Sequence, residues 1–269
     1  MKNRHLLKKV KSSSSTKVSS SSKKEESSSG VALSSSVVNS SSSAVIHSSS
    51  SVVRSSSSWS GGKSGTIEYI TDSRDGQTYK TVVIGTQTWM AQNLNYETDN
   101  SYCYKDSSKY CEKFGRLYTW AAAMDSVGSW STNGMGCGYF KTCKPTYPVR
   151  GVCPTGWHLP TQPEWDTLFT AVGGKSVAGT KLKSTSGWND YDGKNGNGTD
   201  DNLFSALPVG YRGYNGKYYD EGNNAYFWSS AENDIYLAND MDLECYGDRA
   251  NLDNFYKGNG YSVRCVKDD

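Results

Sequence analysis

Apolar side chains are sparse over the first sixty residues and then recur with readable periods. The clearest stretch is Cys153 to Phe169, CPTGWHLPTQPEWDTLF. Thr161 followed three residues later by Glu164 is a capping box: the hydroxyl accepts from the amide of Glu164 and the carboxylate reaches back to the amide of Thr161. Trp165, Leu168, Phe169 and Val172 fall at one-face spacing. The pattern therefore predicts a helix that starts at Thr161, buries a stripe against a sheet and stops at Gly173-Gly174. Upstream, IEYITDSRDGQTYKTVVIGTQTWMAQNL sets Asp75-Gly76 between β-prone runs, and a second turn at Gly85 precedes Gln87 to Met90. This predicts an antiparallel meander from Ile67. Tyr102 to Tyr110 reads as a polar loop, Leu117 to Met124 as a short helix, and Gly128 to Pro148 as an irregular Gly- and Cys-rich segment. After the central helix, Gly179 to Ser184 adds one helical turn, YDGKNGNGTDDN forms a long polar loop, and Phe204 to Leu207 resumes an apolar run. From Tyr211 aromatic and small polar residues alternate, which predicts several short strands, the last at Tyr261 to Val266.

The serine content changes the domain picture. Residues 1–65, with runs such as Ser12 to Ser15 and Ser55 to Ser58, hold too little apolar surface to offset the entropy of ordering, and are expected to be a disordered serine-rich linker. As a coil it would span roughly 40 Å. Residues 66–269 are left for one domain. The net charge of +2 gives no footprint for nucleic acid. MKNRHLLKKVK has a basic start but no apolar core, and no transmembrane segment is readable, so export information would have to lie upstream or the route be unconventional.

Seven cysteines lie between Cys103 and Cys265 with no C-x-x-C pair, which argues for disulfides rather than a zinc or thioredoxin-type site. Cys103 and Cys111 bracket one short loop, Cys137 and Cys143 another, and Cys153 is expected to close on Cys265, leaving Cys245 over. Such usage points to an oxidising, extracellular or cell-surface location.

Candidate chemistry is thin. His158 is the single histidine of the 66–269 domain, and its place in WHLP predicts a buried ring bonded to a carbonyl rather than a catalytic base. Glu232, Asp234, Asp240, Asp242, Asp200 and Asp201 are read as loop acids. Cys245, flanked by Glu244 and Asp248, is expected to be a poor thiolate. No cofactor is expected, calcium excepted: Asp192, Asn195, Asn197, Asp200 and Asp201 concentrate oxygen ligands around glycines, although turns use the same residues. The strongest feature is the interleaving of Tyr211, Tyr214, Tyr218, Tyr219 and Tyr226 with Asp220, Asn223 and Asn224. Stiff amphipathic rings with small polar neighbours suit ligand contact. The alternative is that these rings pack between sheets, as Trp228 is expected to.

The blocks RDGQTYKTVVIGTQTWMAQNLNY, GRLYTWAAAM, CPTGWHLPTQPEW, LKSTSGW, NGTDDNLFSALPVGYR, FWSSAE and GYSVRCV occur in order. Together they resemble the Fibrobacter succinogenes major paralogous domain, over roughly Asp72 to Asp268. The resemblance implies an α+β, C-type-lectin-like mixed fold related to formylglycine-generating enzymes, with two helices flanking small twisted antiparallel sheets and a large loop-rich region on one side. Trp188-Asn189-Asp190 is similar to the WND element of sugar-binding C-type lectins, without an EPN or QPD partner. The cysteine pair of the formylglycine-generating relatives has no counterpart, since Cys245 and Cys265 are too far apart in sequence. The expectation is a non-catalytic recognition module for a polysaccharide or surface protein. A self-associating matrix component cross-linked through Cys245 is the alternative, and an enzyme of the formylglycine-generating type the next.

Overall fold

The N-terminal meander forms where the chain supplies residues able to turn. The computed structural model describes residues 65–269, so the linker expected over 1–65 lies, Gly65 apart, outside the described residues. Strand β1 (Ile67–Thr71) pairs antiparallel with β2 (Thr78–Ile84), from Ile67↔Val82 to Thr71↔Thr78. Gly85, at φ 62°, reverses the chain into β3 (Gln87–Met90). A side chain there would be strained and would meet Ala171 at 2.8 Å, so the turn needs glycine twice over.

The next segment departs from expectation. After β4 (Ser101–Tyr102) and a 3-10 turn at Tyr104–Asp106, the supposed polar loop contains helix α1 (Ser108–Phe114). Leu117 to Met124 splits into β5 (Leu117–Thr119) and α2 (Trp120–Ala123), with the Thr119 side chain accepting from Ala122 N–H. Beyond β6 (Trp157–His158) comes α3 (Gln162–Ala171), capped by Thr161 with Glu164 completing the box. Gly173 and Gly174, both at φ above 100°, end it, and the Gly174 amide donates to the Phe169 carbonyl at 2.7 Å. The single turn expected at Gly179 is helix α4 (Lys175–Leu182). The α+β class stands, but with four α-helices among the described residues where two were expected.

The C-terminal part is built from longer strands than the alternation suggested. A small hairpin of β7 (Tyr211–Arg212) and β8 (Tyr218–Tyr219) precedes β9 (Asn224–Glu232), β10 (Leu237–Glu244) and β11 (Ala250–Tyr256). The chain finishes with β12 (Gly260–Ser262) and β13 (Val266–Lys267). One sheet runs β1-β2-β3-β13-β6; the other runs β11-β10-β9-β12-β5-β4, with β7 on β12 and β8 on β7. Pairing is antiparallel except between β12 and β9.

Two large cores result. In the first, α3 lays Trp165, Leu168 and Phe169 against the sheets. Trp165 stacks on Trp89 at 4.6 Å, with Phe204 and Phe227 around them. Burying each such side chain contributes about 1.5–3 kcal/mol. In the second, Trp228 and Trp120 are fully buried and their indoles satisfied, Trp228 Nε1 donating to the Tyr118 carbonyl at 2.7 Å and Trp120 Nε1 to the Ser229 carbonyl at 2.9 Å. Arg264 is also fully buried; its guanidinium donates to Asn93 Oδ1 and to the carbonyls of Met90 and Phe204, and burial holds its pKa down at about 9. Disulfides join Cys103 to Cys111, Cys137 to Cys143 and Cys153 to Cys265. No described helix is long and apolar enough to cross a membrane.

Candidate functional site

Tyrosine spacing along β7 and β8 decides which rings meet. Successive strand residues point to opposite faces, so Tyr218 and Tyr219 cannot share a platform. Tyr219 stacks on Tyr211 at 5.2 Å. Tyr211 in turn sits edge-on to Tyr226 and Tyr261, and the column ends on Trp228, 4.3 Å from Tyr261. Tyr218 faces the other way, 5.0 Å from Tyr104, which touches Tyr110. The Tyr218 hydroxyl donates to Asp106 Oδ1 at 2.5 Å, and burial with that carboxylate pushes its pKa up to about 12.

The turn between the strands presents the outermost ring. Tyr214 is 72% exposed, with its amide held by Asn259 Oδ1 at 3.0 Å, and lies edge-on to half-exposed Tyr256 at 5.8 Å. Asn215 Nδ2 donates to the Tyr219 hydroxyl at 2.8 Å, and the Arg212 guanidinium covers the Tyr102 ring at 3.8 Å. Carboxylates lie on both sides of the hairpin: Asp106 against Tyr218, Glu221 paired with Lys105 Nζ at 2.6 Å, and Asp220 against Tyr226.

Of the expected ligand residues, one belongs to the interior and two half-buried ones are engaged by other loops. Tyr226 is buried, stacked on Tyr261 at 4.8 Å, its hydroxyl donating to Asp220. Asn223 Oδ1 accepts from Asn189 Nδ2 at 3.0 Å and from the Cys245 thiol, and Asn224 opens β9 with its carbonyl bonded to the Gly210 amide. Asn189, of the WND tripeptide, thus closes one loop on another.

The oxygen-rich loop after Asp190 is held by its own hydrogen bonds. Asn195 Oδ1 accepts from the Asn197 amide, Asn197 Oδ1 from the Trp188 amide, and the two Asp200 oxygens from the amide and hydroxyl of Ser205. Asp192 stands at φ 48°, and Asp201, next to Asp200, is half-buried. His158 is buried as expected, but its partners are carboxylates rather than a carbonyl: Nδ1 lies 2.6 Å from Asp268 Oδ1 and Nε2 2.7 Å from Glu164 Oε1. Burial opposes the charge, yet the two carboxylates outweigh it and hold the imidazole above its usual value. Both nitrogens are engaged, so the ring clamps α3 to the end of β13 rather than presenting a base. Cys245 is unpaired and buried; burial first, then Glu244, pushes the thiol up while Lys183 opposes. Cys245 is 6% exposed, and its thiol donates to Asn223 Oδ1.

Asp240 and Asp242, read as loop acids, are on β10 and buried. Both oxygens of Asp240 lack a hydrogen-bond partner, and burial, with Asp242 and Asp253 adding, pushes it well above the carboxylate range. Asp242 accepts from Asn251 Nδ2 at 3.2 Å, and burial pushes it up to about 6. The unfolded chain gives up these protons near the ordinary carboxylate value, whereas the folded chain keeps them, so stability falls as pH rises through that window. Between pH 4 and pH 6.5 the unfolding free energy is expected to drop by about 2–3 kcal/mol from Asp242 alone. Urea titrations at each pH check this, and Asp242→Asn should flatten the curve. A wild-type stability that climbs across the window would contradict it.

A second exposed aromatic cluster lies outside the tyrosine-rich run. Tyr139 and Phe140, inside the Cys137–Cys143 loop, meet Tyr236 edge-on at 5.9 and 5.0 Å, and all three are exposed. Tyr236, just before β10, and Tyr256, at the end of β11, both follow the tyrosine-rich run in sequence, and the pairing of β10 with β11 through Leu237↔Tyr256 brings them side by side. A family model described as Fibrobacter succinogenes major domain matches residues 82–267, well over half of the chain. No curated protein and no solved structure matches it.

Proposed function

The chain belongs to the Fibrobacter succinogenes major domain family, and from that footing we propose that it is a non-catalytic extracellular recognition module whose β7–β8 hairpin binds polysaccharide. The observation that carries this reading is Tyr214, 72% exposed, set against Tyr256 and anchored by Asn259. A fixed ring loses little entropy on contact, and its face suits the apolar face of a sugar while Asp220 and the phenolic hydroxyls accept from sugar hydroxyls. Three disulfides support an oxidising location. The sharing of one sheet by β1 and β13 supports a C-type-lectin-like reading of the fold. His158 and Cys245, the side chains best suited to catalysis, are each held in structural roles.

The test is affinity electrophoresis and pull-down on cellulose, xylan and mannan. Wild type should be retained by at least one polymer, and Tyr214→Ala and Tyr256→Ala should each weaken retention roughly tenfold, about 1.4 kcal/mol. Retention of neither wild type nor variants by any of the three would end the polysaccharide reading.

A further inference from the structure

A cleft of about 480 Å³, lined by none of the hairpin residues, opens between β2, the segment after β3, the C-terminal half of α1 and the Leu203–Leu207 run. That size lies within the roughly 300–1,000 Å³ of small-ligand sites. Its wall is unusually rich in carboxamides. Gln92 is exposed, and its Oε1 is taken up by the Lys80 amide at 2.8 Å, which leaves the Nε2 group as a donor. Asn95 donates through Nδ2 to Gln77 Oε1 at 3.0 Å, while its own Oδ1 is an acceptor with no partner. Behind them Asn93 is buried and fixed from both ends. Its Oδ1 accepts two bonds from Arg264, at 3.1 and 2.6 Å, and its Nδ2 donates to the Phe114 carbonyl at 2.8 Å and to Ser262 Oγ at 3.2 Å. The frame is therefore rigid without a ligand.

The charges of the lining are not balanced. Lys80 and Lys113 stand against Glu112 alone. Lys113 Nζ rests over the Phe114 ring at 4.4 Å, and the Cys103–Cys111 disulfide fastens the helix that carries it. Apolar side chains of Ile67, Leu203 and Leu207 complete the lining. A ligand that fits has an apolar face, a rim of hydroxyls that both donate and accept as carboxamides do, and a negative charge for the lysines.

We propose that this cleft binds an acidic oligosaccharide, with a uronate carboxylate on Lys80 and Lys113 and the sugar hydroxyls on Gln92 and Asn95. It is a second site, independent of the hairpin surface.

The experiment is isothermal titration of the full chain with α-1,4-linked trigalacturonate and, as the neutral counterpart, maltotriose. Trigalacturonate should bind saturably, and Lys80→Glu/Lys113→Glu should weaken it at least roughly tenfold, since two attractions become repulsions. Both lysines are exposed, so circular dichroism of the variant should match wild type. Raising salt should weaken binding as well, Gln92→Ala should weaken it severalfold, and Tyr214→Ala should leave it unchanged. The proposal is overturned if trigalacturonate does not saturate, if it binds the double variant as tightly as wild type, or if maltotriose binds equally well. Loss of binding in Tyr214→Ala with the lysine variant unaffected would place the acidic sugar on the hairpin instead, and would overturn it too.

Discussion

Replacing Cys153 and Cys265 by alanine is expected to lower the unfolding free energy by about 4–5 kcal/mol, the largest effect of any change considered for this chain. The bond spans 112 residues, and cross-linking so long a loop removes more freedom from the unfolded chain than a short one does. Both cysteines are fully buried, so the lost sulfurs also leave unfilled space. Cys103–Cys111 and Cys137–Cys143, spanning 8 and 6 residues, should contribute about 2–3 kcal/mol each. Urea denaturation of the three double variants, each with the other bridges intact, gives the ranking. A Cys153/Cys265 variant no less stable than the two short-loop variants would contradict it, and would reopen the assignment of an oxidising compartment.

Lys257→Met is expected to cost about 3–5 kcal/mol. The Lys257 ammonium is fully buried; it donates to Glu232 Oε2 at 2.6 Å and to the carbonyls of Gly138 and Lys141, and lies 4.7 Å from the Trp120 ring. Removing it leaves Glu232, only 13% exposed, as an unpaired anion. The penalty belongs chiefly to that stranded charge. Lys257→Met/Glu232→Leu should therefore recover most of the loss, and a double-mutant cycle separates the two contributions. Because the ammonium also ties down the Cys137–Cys143 loop, limited proteolysis of Lys257→Met should cut within that loop before elsewhere in residues 66–269. Additive single-variant costs would show that the two residues do not act as a pair.

What was legible in the chain was local. The capping box at Thr161 and Glu164 lies within one helical turn, and the meander turns at Asp75-Gly76 and Gly85 carry their own signal. The cysteine pairing followed from loop lengths. Helix α1 was missed because SKYCEKF buries only Cys111 and Phe114, too few for a visible stripe. Helix α4 was misplaced because Gly179 reads as a boundary. It is in fact mid-helix, where an added Cβ would lie 2.5 Å from the Arg249 carbonyl, so glycine serves close approach rather than termination.

The site was less legible because its contacts are long-range. Alternation along β8 sends Tyr218 and Tyr219 apart, a rule available from sequence once the strand is known, but the strand is two residues long and gave no period. The sequence pattern puts Tyr226 among the surface rings, but both faces of β9 are covered, so its alternation carries no information about exposure. The partners of His158 include Asp268, 110 residues away, and no pattern announces such a meeting. The carboxamide-lined cleft draws on five separated segments and has no motif at all.

The position of β13 has a bearing on how the molecule is made. It pairs with both β3 and β6, through Val266 and its neighbour, so the strand that joins the two halves of that sheet is made after all the others in it. Until Val266 emerges, β3 displays an open edge and the nascent chain cannot complete its hydrogen-bond ladder. Maturation is thereby postponed until translation of this region has finished.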